Sequence, residues 1–569
     1  MAKDKKSKSV VICEYISTGI NYVDDALARG YTPVLVEGTY IGAQEHVERF
    51  RDIRERINRR MEGRVQIIKE NPDYDEILRQ VRETDPAVVV AGSEFGVGLA
   101  ARLAADLGLP GNPVESIPAM TEKDEMHRAL SEHGLRSIRG VVVTNEEEAI
   151  SFYRELGEQD VVVKPARGAG TQGVYLCESE DEMVSAVRTL LETAERQGFR
   201  DSKVLVQERI VGTEYVVNTV SCNGKHRVVS IGQYDKYRLS NGTNAYNYFR
   251  YISRLEVGHS ALLAYACSVA DAIGVKYGPI HGEYMVDENG PVLIEVNCRP
   301  MGGGLERRYS ELISGQHETD SALDSYLDPV KFHNDSLKPY RLKRSGVSKD
   351  LVFIRDTEIL SAPVLQICKR LRSYYSASFD MIGRTDMVKQ TSDMESEAGL
   401  VYLLHDSEQQ VRDDCDLLHL LEMKYPKILY QEPSDPEAEE RPPVSRDIDF
   451  VMEAAGCCGS TIVFTDTEYT SEGIAVVTGS ELSEAFDSYE QGILDLSDPF
   501  SFADLESVIQ QIFVFMDKVR VGGRVLVPES TYCNMPYGLE GMEILLRVYG
   551  AAIELPASDA PGLLIATIQ

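Results

Sequence analysis

HGEYMVDENGPVLIEVNCRP, residues 281–300, is the stretch on which the reading of this chain turns. Two apolar runs, His281 to Val286 and Val292 to Val296, flank the turn residues Asp287 to Gly290, which is the pattern of an antiparallel hairpin. Alternation along the second strand puts Glu295, Asn297 and Arg299 on one face and turns Ile294 and Val296 to the other. Glu283 sits on the partner strand. Magnesium takes hard oxygen ligands and is usually held by one or two carboxylates together with nucleotide phosphates, so Glu283, Glu295 and Asn297 form a suitable clamp. Arg299, one step further, is placed to neutralise charge on a transferring phosphoryl group. A solvated hairpin face is the ordinary account of a single Glu. It accounts poorly for a polar set that alternates with residues expected to bury the opposite face.

Working outward, VVVKPARGAGTQGV (161–174) carries Lys164 on a buried strand and then a polar loop with Gly168, Gly170 and Gly173. Glycines let backbone N–H groups approach phosphates closely, and Arg167 and Thr171 add donors. A mobile hairpin tip is the usual meaning of such a loop, and the preceding lysine raises the odds of a phosphate role. In VQERIVGTEYVVN (206–218) a strand ends at Gln207 and Glu208; backbone groups there can read an adenine edge, and Glu214 can accept from ribose hydroxyls.

The flanking sequence sets the frame. Residues 9–14 and 33–37 and the run Ala87 to Ala91 alternate with helical segments, the beat of a parallel sheet that binds ligands at the carboxyl ends of its strands. From Thr121 the pattern becomes α+β. QEPSDPEAEERPP (431–443) is the clearest linker and isolates a last unit of α/β character, in which FVFMDKVRVGGRVLVPE (513–529) reads as helix, Gly-Gly turn and strand. That segment resembles the later part of a methyltransferase-like domain, but without a glycine-rich turn for a nucleoside cofactor, so a non-catalytic accessory role is expected. With 569 residues the chain needs several cores. Its formal net charge of −32 argues against nucleic acid or anionic lipid as partner, since both are held by Lys and Arg. No apolar run is long enough for a membrane span, MAKDKKSKS does not read as a secretory signal, and the ten scattered cysteines read as reduced thiols, so a cytoplasmic location is expected.

Taken in order, Lys123 in TEKDEM, Lys164 before the glycine loop, the QERIVGTEY segment, and Glu283 with Glu295, Asn297 and Arg299 resemble the ATP-grasp superfamily, and most closely its L-amino-acid ligases, over roughly residues 1–430. The resemblance implies a multidomain α/β and α+β chain: a Rossmann-like domain (1–118), an ATP-grasp domain (119–345), a ligase subdomain (346–430), the linker (431–443) and an accessory domain (444–569). It implies that Lys123 and Lys164 contact ATP, that Arg167, Gly168, Gly170, Thr171 and Gly173 form a lid, and that Gln207, Glu208 and Ile210 line the adenine hinge with Glu214 on the ribose. Glu283, Glu295 and Asn297 would hold magnesium, or manganese in its place, and Arg299 would stabilise the acyl phosphate. Lys236 looks like a phosphate or substrate contact and His281 like a substrate-facing residue, each balanced by an ordinary structural role. Met301 to Gly304 offer backbone donors to a substrate carboxylate. The expected activity is ATP-dependent joining of a carboxylate to an amine, in a homodimer. A carboxylase or purine-type ligase, or a nucleotide-binding regulator without turnover, is the alternative.

Overall fold

The computed structural model describes residues 7–40, 44–166, 173–196, 203–238, 244–253, 259–379, 387–391, 396–432, 460–465, 475–477, 481, 482, 485, 488–496, 504–532, 535–554 and 563–569. Arg167, Gly168, Gly170 and Thr171, and the linker from residue 433 onward, lie outside the described residues. The chain divides into two compact units, Met1–Gly346 and Val347–Gln569.

The first unit opens with a parallel sheet of β1 (Ser9–Cys13), β2 (Thr32–Val36), β3 (Gln66–Ile68) and β4 (Pro86–Ala91), in the order β3-β2-β1-β4. Helices at Asn21–Ala28, Tyr74–Glu83 and Val97–Asp106 alternate with these strands; the sequence predicts the first and the last of these. The run Val10–Cys13 is wholly apolar and fully buried, the mark of a strand covered on both faces. Where the chain leaves β1 it crosses the exit of β4 so closely that a Cβ on Gly19 would stand 2.1 Å from the Gly92 carbonyl oxygen. Only glycine fits there.

A small antiparallel sheet follows, built from β5 (Gly140–Val143), β6 (Val161–Pro165), β7 (Tyr175–Cys177) and β8 (Val204–Glu208), in the order β5-β8-β6-β7. Its inner face buries Val161, Val163 and Val206 against Phe152 and Val187 of two helices, Glu146–Glu155 and Glu180–Arg196. The Asn145 side chain caps the first of these by accepting from the Glu148 N–H. Then come β9 (Thr213–Cys222), β10 (Lys225–Arg238), β11 (Asn244–Tyr251), β12 (Tyr277–Asp287) and β13 (Gly290–Asn297), antiparallel neighbours in the order β13-β12-β9-β10-β11. One face of this sheet packs Val217, Ile280, Leu293 and Val296 against helices Lys123–Glu132 and His259–Ala272. The opposite face carries the polar set.

The hairpin turns at Asp287–Gly290 as expected, but its strands are longer than the apolar runs, and β13 stops at Asn297. Arg299 therefore leaves the strand, its N–H turning back to the Asn297 carbonyl at 2.8 Å, instead of continuing the alternating face.

In the second unit, strands Gly399–His405 and Tyr374–Ser378 lie side by side. A separate six-stranded sheet runs Ala475–Val477, Thr461–Thr465, Tyr489–Asp495, Val519–Pro528, Leu563–Ile568, Ala551–Glu554; the first four are parallel and Leu563–Ile568 is antiparallel to both of its neighbours. The Gly-Gly pair is not the turn that the sequence predicts. Gly522, at φ +80°, and Gly523 lie within the strand Val519–Pro528, where the register against Tyr489–Asp495 jumps. Glycine permits the positive φ that such a bulge requires. Among the described residues no helix is long and apolar enough to cross a membrane.

Candidate active site

The register of β12 against β13 sets Glu283 opposite Glu295 and His281 opposite Asn297, and a bulge leaves Ile294 of β13 without a partner, so that Leu293 joins Val296 in the core where the alternation had predicted Ile294. Directly opposed residues on antiparallel strands have Cβ atoms about 4.5–5.5 Å apart. The four side chains therefore form a compact square of three oxygen donors and one imidazole. Asn297 is buried, and its amide nitrogen stands 3.4 Å from Glu295 Oε1. This donor set is hard and anionic, which fits magnesium and excludes a thiolate-type metal site.

Two lysines reach the square from other elements. Lys123, the first residue of its helix, places Nζ 3.0 Å from Glu295 Oε2. Lys164, on β6, is buried. Burial pushes the Glu295 carboxyl up, but Lys123 and Lys164 outweigh it and bring the group down to about 2. Burial and the nearby Lys123 lower the Lys164 ammonium to about 8, against the pull of Glu295, Glu283 and Glu214. The cluster is thus a mixed-charge pocket in which two cations and several anions share one desolvated space, poised for a polyanion and its counter-cation.

His281 is fixed by its neighbours. Its Nδ1 stands 2.8 Å from the Asn218 oxygen, while the Asn218 amide nitrogen donates to Ser230 Oγ at 2.8 Å and to Met301 Sδ at 3.5 Å. In that arrangement Nδ1 carries the proton and Nε2 faces Glu283 Oε1 at 3.2 Å. Burial holds the imidazole below its usual value, so Nε2 is a lone pair aimed at a carboxylate. Two acceptors facing each other call for a cation or a proton between them.

Glu214, near the start of β9, pairs with Lys236 of β10 at 2.7 and 2.8 Å, and the same ammonium lies 4.3 Å from the centre of the Tyr246 ring. Burial raises the Glu214 carboxyl and Lys236 opposes the rise. The presumed ribose and phosphate contacts are thus each other's partners in this structure. Of the hinge residues, Gln207 is buried, and Glu208 Oε1 accepts from the Arg139 N–H at 2.8 Å, so that carboxylate is committed to the backbone. Ile210 follows the end of β8. Gly173, at φ +65°, sits where a Cβ would come within 2.9 Å of Leu190.

Arg299 leads into Met301–Leu305, which is held by the first domain. The Gly304 N–H donates to Ser17 Oγ, the Leu305 N–H to Thr18 Oγ1, and Asn21 Nδ2 to the Leu305 carbonyl, at 3.0, 3.0 and 2.8 Å. One site residue escapes the sequence reading. Glu94, just past β4, is driven up by burial, opposed by Arg299 and Lys123, and feels Glu295 and Glu283. The signal was present in AGSEFG: an acid at the carboxyl end of a buried parallel strand, where such sheets place ligands.

Residues 158–306 match the profile of the ATP-grasp domain. The chain is 30% identical over 263 residues to a dapdiamide A synthase of Enterobacter agglomerans, and 23% identical over 248 residues to a phosphoribosylamine–glycine ligase of Methanococcus vannielii. These alignments span 46% and 40% of the chain and only 61% and 56% of the relatives. The fold is similar to that of an L-amino acid ligase from Bacillus licheniformis (TM-score 0.56, 17% identity, 73% of this chain and 98% of that one). It is also similar to a carboxyaminoimidazole ribonucleotide synthase from Aspergillus clavatus complexed with ATP (TM-score 0.53, 13% identity, 72% and 97%).

Proposed function

We propose that this chain, which carries an ATP-grasp domain over residues 158–306, is an ATP-dependent ligase that joins a carboxylate to an amine through an acyl phosphate. The observation that carries the proposal is the square of Glu283, Glu295, Asn297 and His281, with Lys123 on Glu295 and Arg299 just beyond the strand. Magnesium held by Glu283, Glu295 and Asn297 would offset charge on the triphosphate.

The protein's own groups do the rest. Lys123 and Lys164 draw the phosphates into the pocket, and the positive field they share with Arg299 favours the charge that develops as the γ-phosphoryl group passes to a substrate carboxylate oxygen. The acyl phosphate so formed is attacked by an amine, releasing phosphate and leaving an amide. The amine enters as the free base, and His281, neutral and with Nε2 unprotonated, takes its proton as it attacks; Glu94 lies in the same charged cluster and feels Arg299 and Lys123. Lys236 leaves Glu214 for a phosphate oxygen once a ribose occupies the Glu214 carboxylate. The dapdiamide and L-amino-acid ligases among the relatives favour amino acids or close analogues as both substrates, drawn from the cytoplasm by a homodimer.

The test is ADP release with ATP, magnesium and pools of the twenty L-amino acids, followed by mass identification of the product. A coupled mass with ADP formation supports the proposal. Nucleotide binding with no turnover in any pool of acids and amines refutes it in favour of a regulator.

A further inference from the structure

Glu318 is a buried carboxylate with no part in the chemistry just described. It opens the helix Glu318–Leu327, whose N-terminal dipole favours an anion there, and it accepts the Met301 backbone N–H at 2.7 Å. Met301 is the residue through which the arginine segment meets the metal square. On its backbone side it hangs from Glu318. On its side-chain side, Met301 Sδ receives Asn218 Nδ2, Asn218 orients His281, and His281 faces Glu283. The next residues, 302–305, are pinned by Ser17, Thr18 and Asn21. Glu318 is therefore a charged side chain that anchors the start of a segment whose later residues are held by the neutral Ser17, Thr18 and Asn21.

We propose that Glu318 is a positioning residue: by holding the Met301 amide it fixes the 301–305 segment, and with it Arg299 and His281, in the arrangement that receives substrate, while leaving nucleotide binding to Lys123 and Lys164. The inference rests on the ligase reading above. The groups facing Glu318 are the Met301 N–H, Arg299, His317 and Tyr22. Burial raises its carboxyl, the Met301 N–H, Arg299 and His317 lower it, and the balance lies at about 7. The anchor is consequently a charge-assisted bond above neutrality and a weaker neutral one below it.

The experiment has two readouts. In the first, ADP release with ATP and the amino-acid pool is measured for Glu318→Ala and Glu318→Gln at pH 8. The alanine variant is expected to lose turnover by about tenfold or more, the loss of one charge-assisted bond, at unchanged KM for ATP. The glutamine variant, whose amide oxygen still accepts the Met301 N–H, is expected to recover most of it. Equal turnover in the alanine variant, or a parallel rise in the KM for ATP, overturns the proposal.

The second readout needs no turnover, so it separates failure of this inference from failure of the ligase reading. The chain contains no tryptophan, and a Cβ at Gly302 would meet only Arg299 Nη1, at 3.8 Å. Fluorescence of Gly302→Trp is expected to shift with a midpoint near pH 7, and the shift to vanish when Glu318→Gln is added. A transition that persists in the double variant assigns it to a neighbour such as His317 and refutes the anchor, as does the absence of any transition.

Discussion

Glu295→Gln removes the charge around which both lysines are organised. The carboxyl lies at about 2 against an ordinary 4.5; at about 1.4 kcal/mol per pH unit, the ionised form gains about 3 kcal/mol from the folded surroundings. Glutamine keeps the shape and forfeits that gain, so the variant is expected to remain folded and to lose about 3 kcal/mol of stability at pH 7. Because the folded-state value is depressed, the contribution is present above about pH 4.5 and fades as pH falls towards 2. Urea titrations of the two proteins should therefore differ at pH 7 and converge only as pH approaches 2. Turnover is expected to fall further than stability. A carboxylate that holds a cation against the transferring phosphate supplies several kcal/mol, which corresponds to a loss of about 100-fold or more in kcat. Full turnover together with a pH-independent stability difference refutes both the metal role and the lysine pairing.

Lys164 titrates near 8 because of burial and Lys123, so ADP binding at pH 8.5 is expected to take up a proton, seen as a buffer-dependent binding enthalpy in calorimetry and lost in Lys164→Met. The same depression means that the unfolded chain keeps its proton to higher pH than the folded one, and this group's contribution to stability rises between about pH 8 and 10.5. Lys236→Met leaves the buried Glu214 without its cation. Its carboxyl then moves still higher, and nucleotide affinity is expected to drop about tenfold at pH 6.5, with partial recovery at pH 9; an unchanged affinity at both removes Glu214 from the ribose site. In the second unit, Lys349 and Glu422 form a fully buried ion pair. Lys349→Met should cost about 3–5 kcal/mol in urea unfolding, and adding Glu422→Leu should restore most of it.

The hairpin was legible because period-two alternation and a four-residue turn are local signals, and the strand register brings together Glu283, Glu295 and Asn297, which a short string already grouped. Arg299 leaving the strand was not legible, since β13 ends on a backbone turn that side-chain alternation does not announce. The pairing of Lys236 with Glu214 and the orientation of His281 by Asn218 depend on the register of β9 with β10 and β12, which alternation alone leaves open. Glu94 was missed for a related reason: it lies 201 positions before Glu295, and only the packing of the first sheet brings its field to bear. The Gly-Gly pair misled because glycine serves turns and bulges alike, and the choice between them is made by the neighbouring strand Tyr489–Asp495.

Divalent cations lying between the β12 and β13 carboxylates and the triphosphate are the premise of the proposed chemistry. Anomalous diffraction from crystals grown with manganese and a non-hydrolysable ATP analogue tests this most directly. The expected result is a manganese peak within about 2.2 Å of carboxylate oxygens from both Glu283 and Glu295. A nucleotide bound with its manganese held elsewhere, and with Glu295 still paired to Lys123, contradicts it.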